Sequence, residues 1–183
     1  MKKTSCLFMV LLLAVSLQAE QDVKSIRKNA IKTTFLSFIT GSAKLTYERV
    51  TIPGQSFEIT GGIIGVGFDK FENNPKGVLF RFAYKFMFLQ PQETLLTGFY
   101  IKPEYAVSAF HYDAKNINRV YSSWQTIMGC TGYQWNRKML VLDGFAGAGF
   151  GWGNPTELRY HHGFIDRRTH LTLTLGMKIG LAF

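Results

Sequence analysis

The sequence closes on Leu171-Thr-Leu-Thr-Leu-Gly-Met-Lys-Ile-Gly-Leu-Ala-Phe183, and the alternation in this stretch decides the fold. Along an extended strand, successive side chains point to opposite faces of the sheet. Leu171, Leu173, Leu175, Met177, Ile179, Leu181 and Phe183 then share an apolar face, while Thr172, Thr174, Gly176, Lys178, Gly180 and Ala182 share a small or polar one. A long, flat, apolar edge strand in water invites aggregation. In a closed barrel in lipid the same strand has no free edge, and its apolar face meets hydrocarbon. The inner strand of a soluble sandwich or lipocalin-like barrel would carry the same alternation, so the rest of the chain has to choose.

Working outward, the pattern recurs most clearly at 77–89. Val78, Phe80, Phe82, Tyr84, Phe86 and Phe88 fall on one face; Leu79, Arg81, Ala83, Lys85 and Met87 fall on the other. Arg81 or Lys85 at bilayer depth would cost roughly 2–4 kcal/mol each, so the aromatic face suits lipid and the cations suit the interior. The stretch 96–112 repeats the logic, with Phe99, Ile101, Tyr105 and Val107 opposed to Lys102, Glu104 and Ser108, and Pro103 marking a bulge or strand end. A soluble barrel would invert the two faces, and alternation alone is blind to that inversion.

Between turn signals the chain reads as eight strands, at 30–39, 43–52, 57–68, 77–89, 96–112, 120–135, 139–152 and 171–183, with no helical period. The connections at 53–56, 90–95 and 136–138 are short. Those on the other side, at 69–76, 113–119 and 153–170, are expected to be longer, with the short 40–42 connection as the exception. Short turns on one side and long loops on the other are expected of outer-membrane barrels.

The start of the chain supplies an address. Lys2 and Lys3 precede a short apolar run at 6–15, and Ser16-Leu-Gln-Ala19 reads as a cleavage region, so a secretory signal peptide is expected over 1–19. A polar periplasmic tail then spans 20–29 and a barrel domain 30–183. Cys6 leaves with the signal, and Cys130 alone can form no internal disulfide. A small exported domain without disulfides needs a large core, a metal or another solvent to hold it. The formal charge of +9 falls to +7 without Lys2 and Lys3. An exported chain rarely meets nucleic acid, so anionic lipid head groups such as lipopolysaccharide phosphates are the more natural partner. The aromatic share of 15% together with 18 glycines suits a barrel with aromatic girdles and small inward residues.

Alternation places Lys32, Glu48, Glu58, Arg81, Lys85, Lys102, Glu104, Asp143 and Lys178 inside. The signs nearly balance, and eight strands enclose a space that side chains just fill. An ion-paired plug is therefore expected in place of an open channel. Signs of chemistry are sparse. His161 and His162 are adjacent in a loop and read as solvated histidines, so neither a metal nor a cofactor is expected. A lipid-modifying enzyme would need a serine with a histidine and an acidic partner in reach. Ser122 or Ser123 with His111 and Asp113 could meet across a hairpin, although no elbow motif surrounds these serines. Cys130, among small and polar neighbours, reads as an inert thiol. In the last loop Arg159, Tyr160, Arg167 and Arg168 lie beside His161, His162 and Phe164, with Glu157 and Asp166 between them. Arginines interleaved with aromatics suit phosphate or sugar groups of neighbouring lipid. Tyr133, Trp135 and Trp152 read as interface aromatics.

The signal, the eight strands and the terminal stretch together resemble the small eight-stranded outer-membrane β-barrel proteins of Gram-negative bacteria, the OmpA/OmpX-like architecture. Phe35-Leu-Ser-Phe-Ile-Thr-Gly-Ser-Ala-Lys-Leu-Thr-Tyr-Glu-Arg49 is similar to the first hairpin of small outer-membrane barrel families of unassigned function. The resemblance covers 30–183 and implies architecture more than activity. In those barrels the final aromatic residue helps the assembly machinery recognise its substrate, which implies that role for 171–183. The expectation is an all-β, eight-stranded antiparallel up-and-down transmembrane β-barrel in the outer membrane. It would be monomeric, in contact with lipopolysaccharide, and non-enzymatic, serving envelope integrity or adhesion through its outer loops. A lipid A-modifying enzyme on the same barrel and a soluble periplasmic lipocalin-like binding protein are the alternatives.

Overall fold

The computed structural model describes residues 27–38, 41–66, 74–88, 96–114, 117–154, 156, 163–166 and 168–183. The strands in chain order are β1 Asn29–Thr34, β2 Ser42–Ile52, β3 Gln55–Ile64, β4 Lys76–Phe88, β5 Gly98–Ala114, β6 Ile117–Arg137, β7 Leu140–Asn154, the two-residue β8 Phe164–Ile165, and β9 Leu171–Ala182. Each of β1 to β7 pairs antiparallel with the next, β7 pairs with β9, and β9 returns to pair with β1. Eight strands thus form a closed barrel, with almost no helix.

The stagger of the ring follows from the pairing. Lys32 pairs with Thr46, Thr46 with Thr60, Thr60 with Arg81, Arg81 with Ala106, Ala106 with Thr126, and Thr126 with Gly151. The Gly151 amide then donates to the His170 carbonyl on the approach to β9. Lys32 itself pairs with Gly180, so one circuit climbs from 170 to 180, ten residues. A shear of this kind goes with strands tilted by about 35–45° from the barrel axis.

Alternation sorts the wall into two chemistries. Outward-facing Ile31, Leu45, Ile59, Phe82, Ile101, Ile127, Phe150 and Leu175 are all exposed, whereas most inward residues of the same strands are buried. The interior is filled by setting large side chains opposite glycine. Tyr100 pairs with Gly132, Phe110 with Gly77, Phe145 with Gly176, Leu79 with Gly62 and Cys130 with Gly147. An added methyl at Gly176 would sit 2.8 Å from the Phe145 ring, so these pairs interdigitate and leave little empty space.

Three local features differ from the sequence expectation. The first strand ends at Thr34, and Phe35–Phe38 form a single 3-10 turn. The Ser37 hydroxyl donates to the Thr34 carbonyl (2.7 Å), which gives the backbone an alternative to the ladder. The expected loop at 113–119 is largely strand, because β5 runs to Ala114 and β6 starts at Ile117 across a bulge between Tyr112 and Ala114. The third strand ends at Ile64, short of the 57–68 expected, while the 90–95 turn lies outside the described residues. The strand ends that lead into 65–75 and 155–170 lie on the opposite side from the tight turns at 53–54 and 138–139, and so does the close approach of β5 and β6 at Ala114 and Ile117.

Candidate functional site

The nine charged residues that the sequence reading directs inward are buried inside the ring: Lys32, Glu48, Glu58, Arg81, Lys85, Lys102, Glu104, Asp143 and Lys178. They form one connected network in two tiers. In the first, the Lys32 ammonium donates to Glu48 Oε2 (2.7 Å), Asp143 Oδ2 (2.8 Å), Gln134 Oε1 (3.1 Å) and Glu58 Oε1. Lys85 donates to Gln134 Oε1 (2.6 Å) and Asp143 Oδ2 (2.9 Å), and its ammonium sits 4.2 Å from the centre of the Tyr100 ring. Tyr100 donates its hydroxyl proton to Asp143 Oδ1 (2.5 Å), Ser56 to Glu48 Oε1 (2.7 Å), and Gln134 Nε2 to Glu48 Oε2 (2.9 Å).

In the second tier Lys102 and Lys178 each donate to Glu58 Oε2 at 3.0 Å, Lys102 also pairs with Glu104 (2.9 Å), and Arg81 meets Glu104 Oε1 at 3.2 Å. The Phe145 ring lies beneath both ammonium groups, 5.0 Å from Lys102 and 5.2 Å from Lys178. Glu58 joins the tiers, with Lys32 and Lys85 on one oxygen and Lys102 and Lys178 on the other.

A buried charge is tolerated when it is paired and hydrogen-bonded. Here each ammonium faces at least one carboxylate, and aromatic faces supply further attraction. Chemically, the arrangement can plug the lumen and lock strands β1, β2, β3, β4, β5, β7 and β9 to one another. Sequence reading missed Tyr100, Gln134 and Ser56, which complete the hydrogen bonding. It also passed over Lys44, the remaining inward cation of β2, which feels the charges of Arg81, Glu104 and Lys178. Strand parity carries all four, but an argument built on charges skips the three neutral partners.

The other candidates are not gathered in this way. Arg159, Tyr160, His161, His162 and Arg167 lie outside the described residues. Arg168 is exposed, and its amide donates to Asp166 Oδ1 at 3.0 Å. The Thr169 hydroxyl donates to Asp166 Oδ2 (2.6 Å), and these two bonds hold the Asp166 carboxyl below the usual carboxylate range. Ser122 points inward, its hydroxyl 3.3 Å from the Asn154 carbonyl and accepting from the Thr156 amide (2.9 Å). Ser123 points outward, and the His111 ring packs on Tyr121 with centroids 5.8 Å apart. Asp113 lies 4.0 Å from Arg119 on the surface. Cys130 is buried, its sulfur in the space that a side chain at Gly147 would need.

Fold and site together define a closed eight-stranded antiparallel barrel whose lumen is an ion-paired plug. Comparison with known protein families finds no matching family model, and comparison with curated proteins finds no matching sequence.

Proposed function

We propose that this barrel resides in the outer membrane of a Gram-negative cell. There it serves as a non-enzymatic, non-conducting envelope protein that meets lipopolysaccharide or surface partners through its outer loops. The observation that carries the reading is the orientation of the two faces. Nine charged groups are buried in the lumen, while the outward wall carries Leu45, Ile127, Phe150 and Leu175, each at least 60% exposed. A water-soluble barrel has reason to place these faces the other way round, since its outside meets water and its lumen a ligand. Contiguous apolar surface of this extent is rare on soluble monomers.

Three further features support it. Rings band the outer wall near the tight-turn end, where Phe99 lies 4.7 Å from Tyr133 and 6.4 Å from Phe88, as expected of residues at a membrane interface. The 1–19 stretch reads as an export signal. The terminal stretch 171–183 resembles the segment that the assembly machinery recognises. The side-chain plug favours a mechanical or adhesive role over conduction.

The test is fractionation followed by a denaturing gel of unboiled and boiled samples. A protein in the outer-membrane fraction whose mobility shifts on boiling supports the reading. A protein extracted into buffer without detergent, with no shift, overturns it and directs attention to an internal ligand.

A further inference from the structure

We propose that the outer wall carries a site for one anionic glycerophospholipid, built across β2 to β6, an inference that rests on the membrane reading above. An open groove of about 660 Å³ runs between Phe57, Ile59, Phe82, Tyr84, Tyr105 and Ile127 on the outside of the barrel. Its floor exists because of Pro103. Proline has no amide proton for the ladder, and the β4–β5 pairing stops at Ala83–Glu104 and resumes at Phe86–Ile101. Across β6, Pro103 pairs with Gly129, which has open space where a side chain would stand. A short side chain beside an absent one leaves a depression in a wall otherwise covered with large groups.

The groove has one polar end. Phe57 pairs with Arg49 on one side and with Tyr84 on the other, so Arg49 lies directly beside the groove wall. Arg49 is exposed and makes no ion pair among the described residues. The exposed Lys28 lies at the same end, where its carbonyl accepts from the Val50 amide. Next to Arg49, the Tyr84 hydroxyl donates to Gln55 Oε1 (2.8 Å) and lies 2.9 Å from Thr51 Oγ1. Going up the wall from the Pro53–Gly54 turn, the hydroxyl and amide groups of Thr51 and Gln55 come first, the Arg49 guanidinium beside Phe57 next, and the apolar groove beyond it. A cation and hydrogen-bonding groups at one end of an apolar groove suit a phosphate head group whose acyl chain lies in the groove. The exposed Arg49 guanidinium selects a lipid with net negative charge over a zwitterionic one.

The experiment uses the full chain purified in non-ionic detergent, with folding checked by the gel shift on boiling. Native mass spectrometry then follows titration with phosphatidylglycerol or phosphatidylcholine of matched chains. The wild-type barrel is expected to retain one phosphatidylglycerol, with a preference of about fivefold that Arg49→Gln abolishes. Pro103→Phe fills the depression and returns an amide to the ladder, so this variant should shift on boiling yet retain neither lipid. Equal retention of the two lipids by a heat-shifting wild type, a second copy of the chain in place of lipid, or unchanged retention by Pro103→Phe overturns the site and leaves the membrane reading intact. A wild type that needs no detergent and shows no shift overturns the membrane reading itself, and the site with it.

Discussion

Tyr100 and Gly132 face each other across the β5–β6 ladder, and the tyrosine ring occupies the volume that a side chain at 132 would fill. A methyl placed there would come within 2.5 Å of the Tyr100 hydroxyl and 2.3 Å of the Gly144 carbonyl. That hydroxyl holds Asp143, which in turn pairs with Lys32 and Lys85. Gly132→Ala should therefore cost about 1–3 kcal/mol through overpacking, read as a lower urea midpoint for the refolded barrel in detergent or lipid vesicles.

Glu58 is the carboxylate whose loss the plug should feel most. Glu58→Gln leaves Lys32, Lys85, Lys102 and Lys178 sharing fewer negative charges, and a broken buried pair typically costs about 3–5 kcal/mol. The gel shift of this variant should collapse at a lower temperature than that of the wild type. Adding Lys178→Met, which removes one orphaned ammonium, should restore stability. A double-mutant cycle showing no coupling between the two positions would count against the network as drawn.

Phe82→Arg separates lipid from water as the surroundings of the outer wall. Phe82 is 48% exposed and faces away from the lumen. In a bilayer an outward arginine near the midplane costs about 2–4 kcal/mol. At an exposed position in water the change stays within about ±0.5 kcal/mol. Urea titration of the variant in vesicles, beside Lys138→Arg as a control in the tight turn, reads the difference.

The turn around Asp166 should depend on pH in a definite direction. Its carboxyl is held low by the Thr169 hydroxyl and the Arg168 amide, so the stabilisation is present above the ordinary aspartate pKa of about 3.9 and is lost as pH falls through the lowered value. Amide exchange at Arg168 should be slow near neutrality and accelerate relative to intrinsic rates in acid. Asp166→Ala should show the fast behaviour at every pH.

The strands and the lumen were legible because both rest on a period of two. Lys32, Glu48, Glu58 and Lys178 announce themselves as charges among alternating apolar residues, and once the ring closes they have nowhere to go but toward one another. Gln134 and Tyr100 obey the same parity, but a neutral side chain carries no charge to balance. The 3-10 turn at Phe35–Phe38 was hidden because Phe35-Leu-Ser-Phe38 is as apolar as a strand, and the hydrogen bond that ends β1 comes from one serine. The extension of β5 to Ala114 was hidden because a bulge at Tyr112–Ala114 shifts the register, which no fixed period anticipates. The groove at Pro103 was half visible. Proline marks an interruption, but Gly129 opposite it depends on the pairing of β5 with β6.

The pairing of β9 with β1 also has a kinetic meaning. Every other ladder of the ring joins strands close together in the chain, whereas this one brings Ala30 to Ala182 and Thr34 to Lys178. Contacts of such sequence separation carry the largest loop-closure entropy and form late. Until they form, β1 and β9 present two bare edges, each able to capture a strand from another molecule. Folding of this chain is then a race between sealing its own circle and polymerising, and whatever shelters those two edges in the meantime decides the yield.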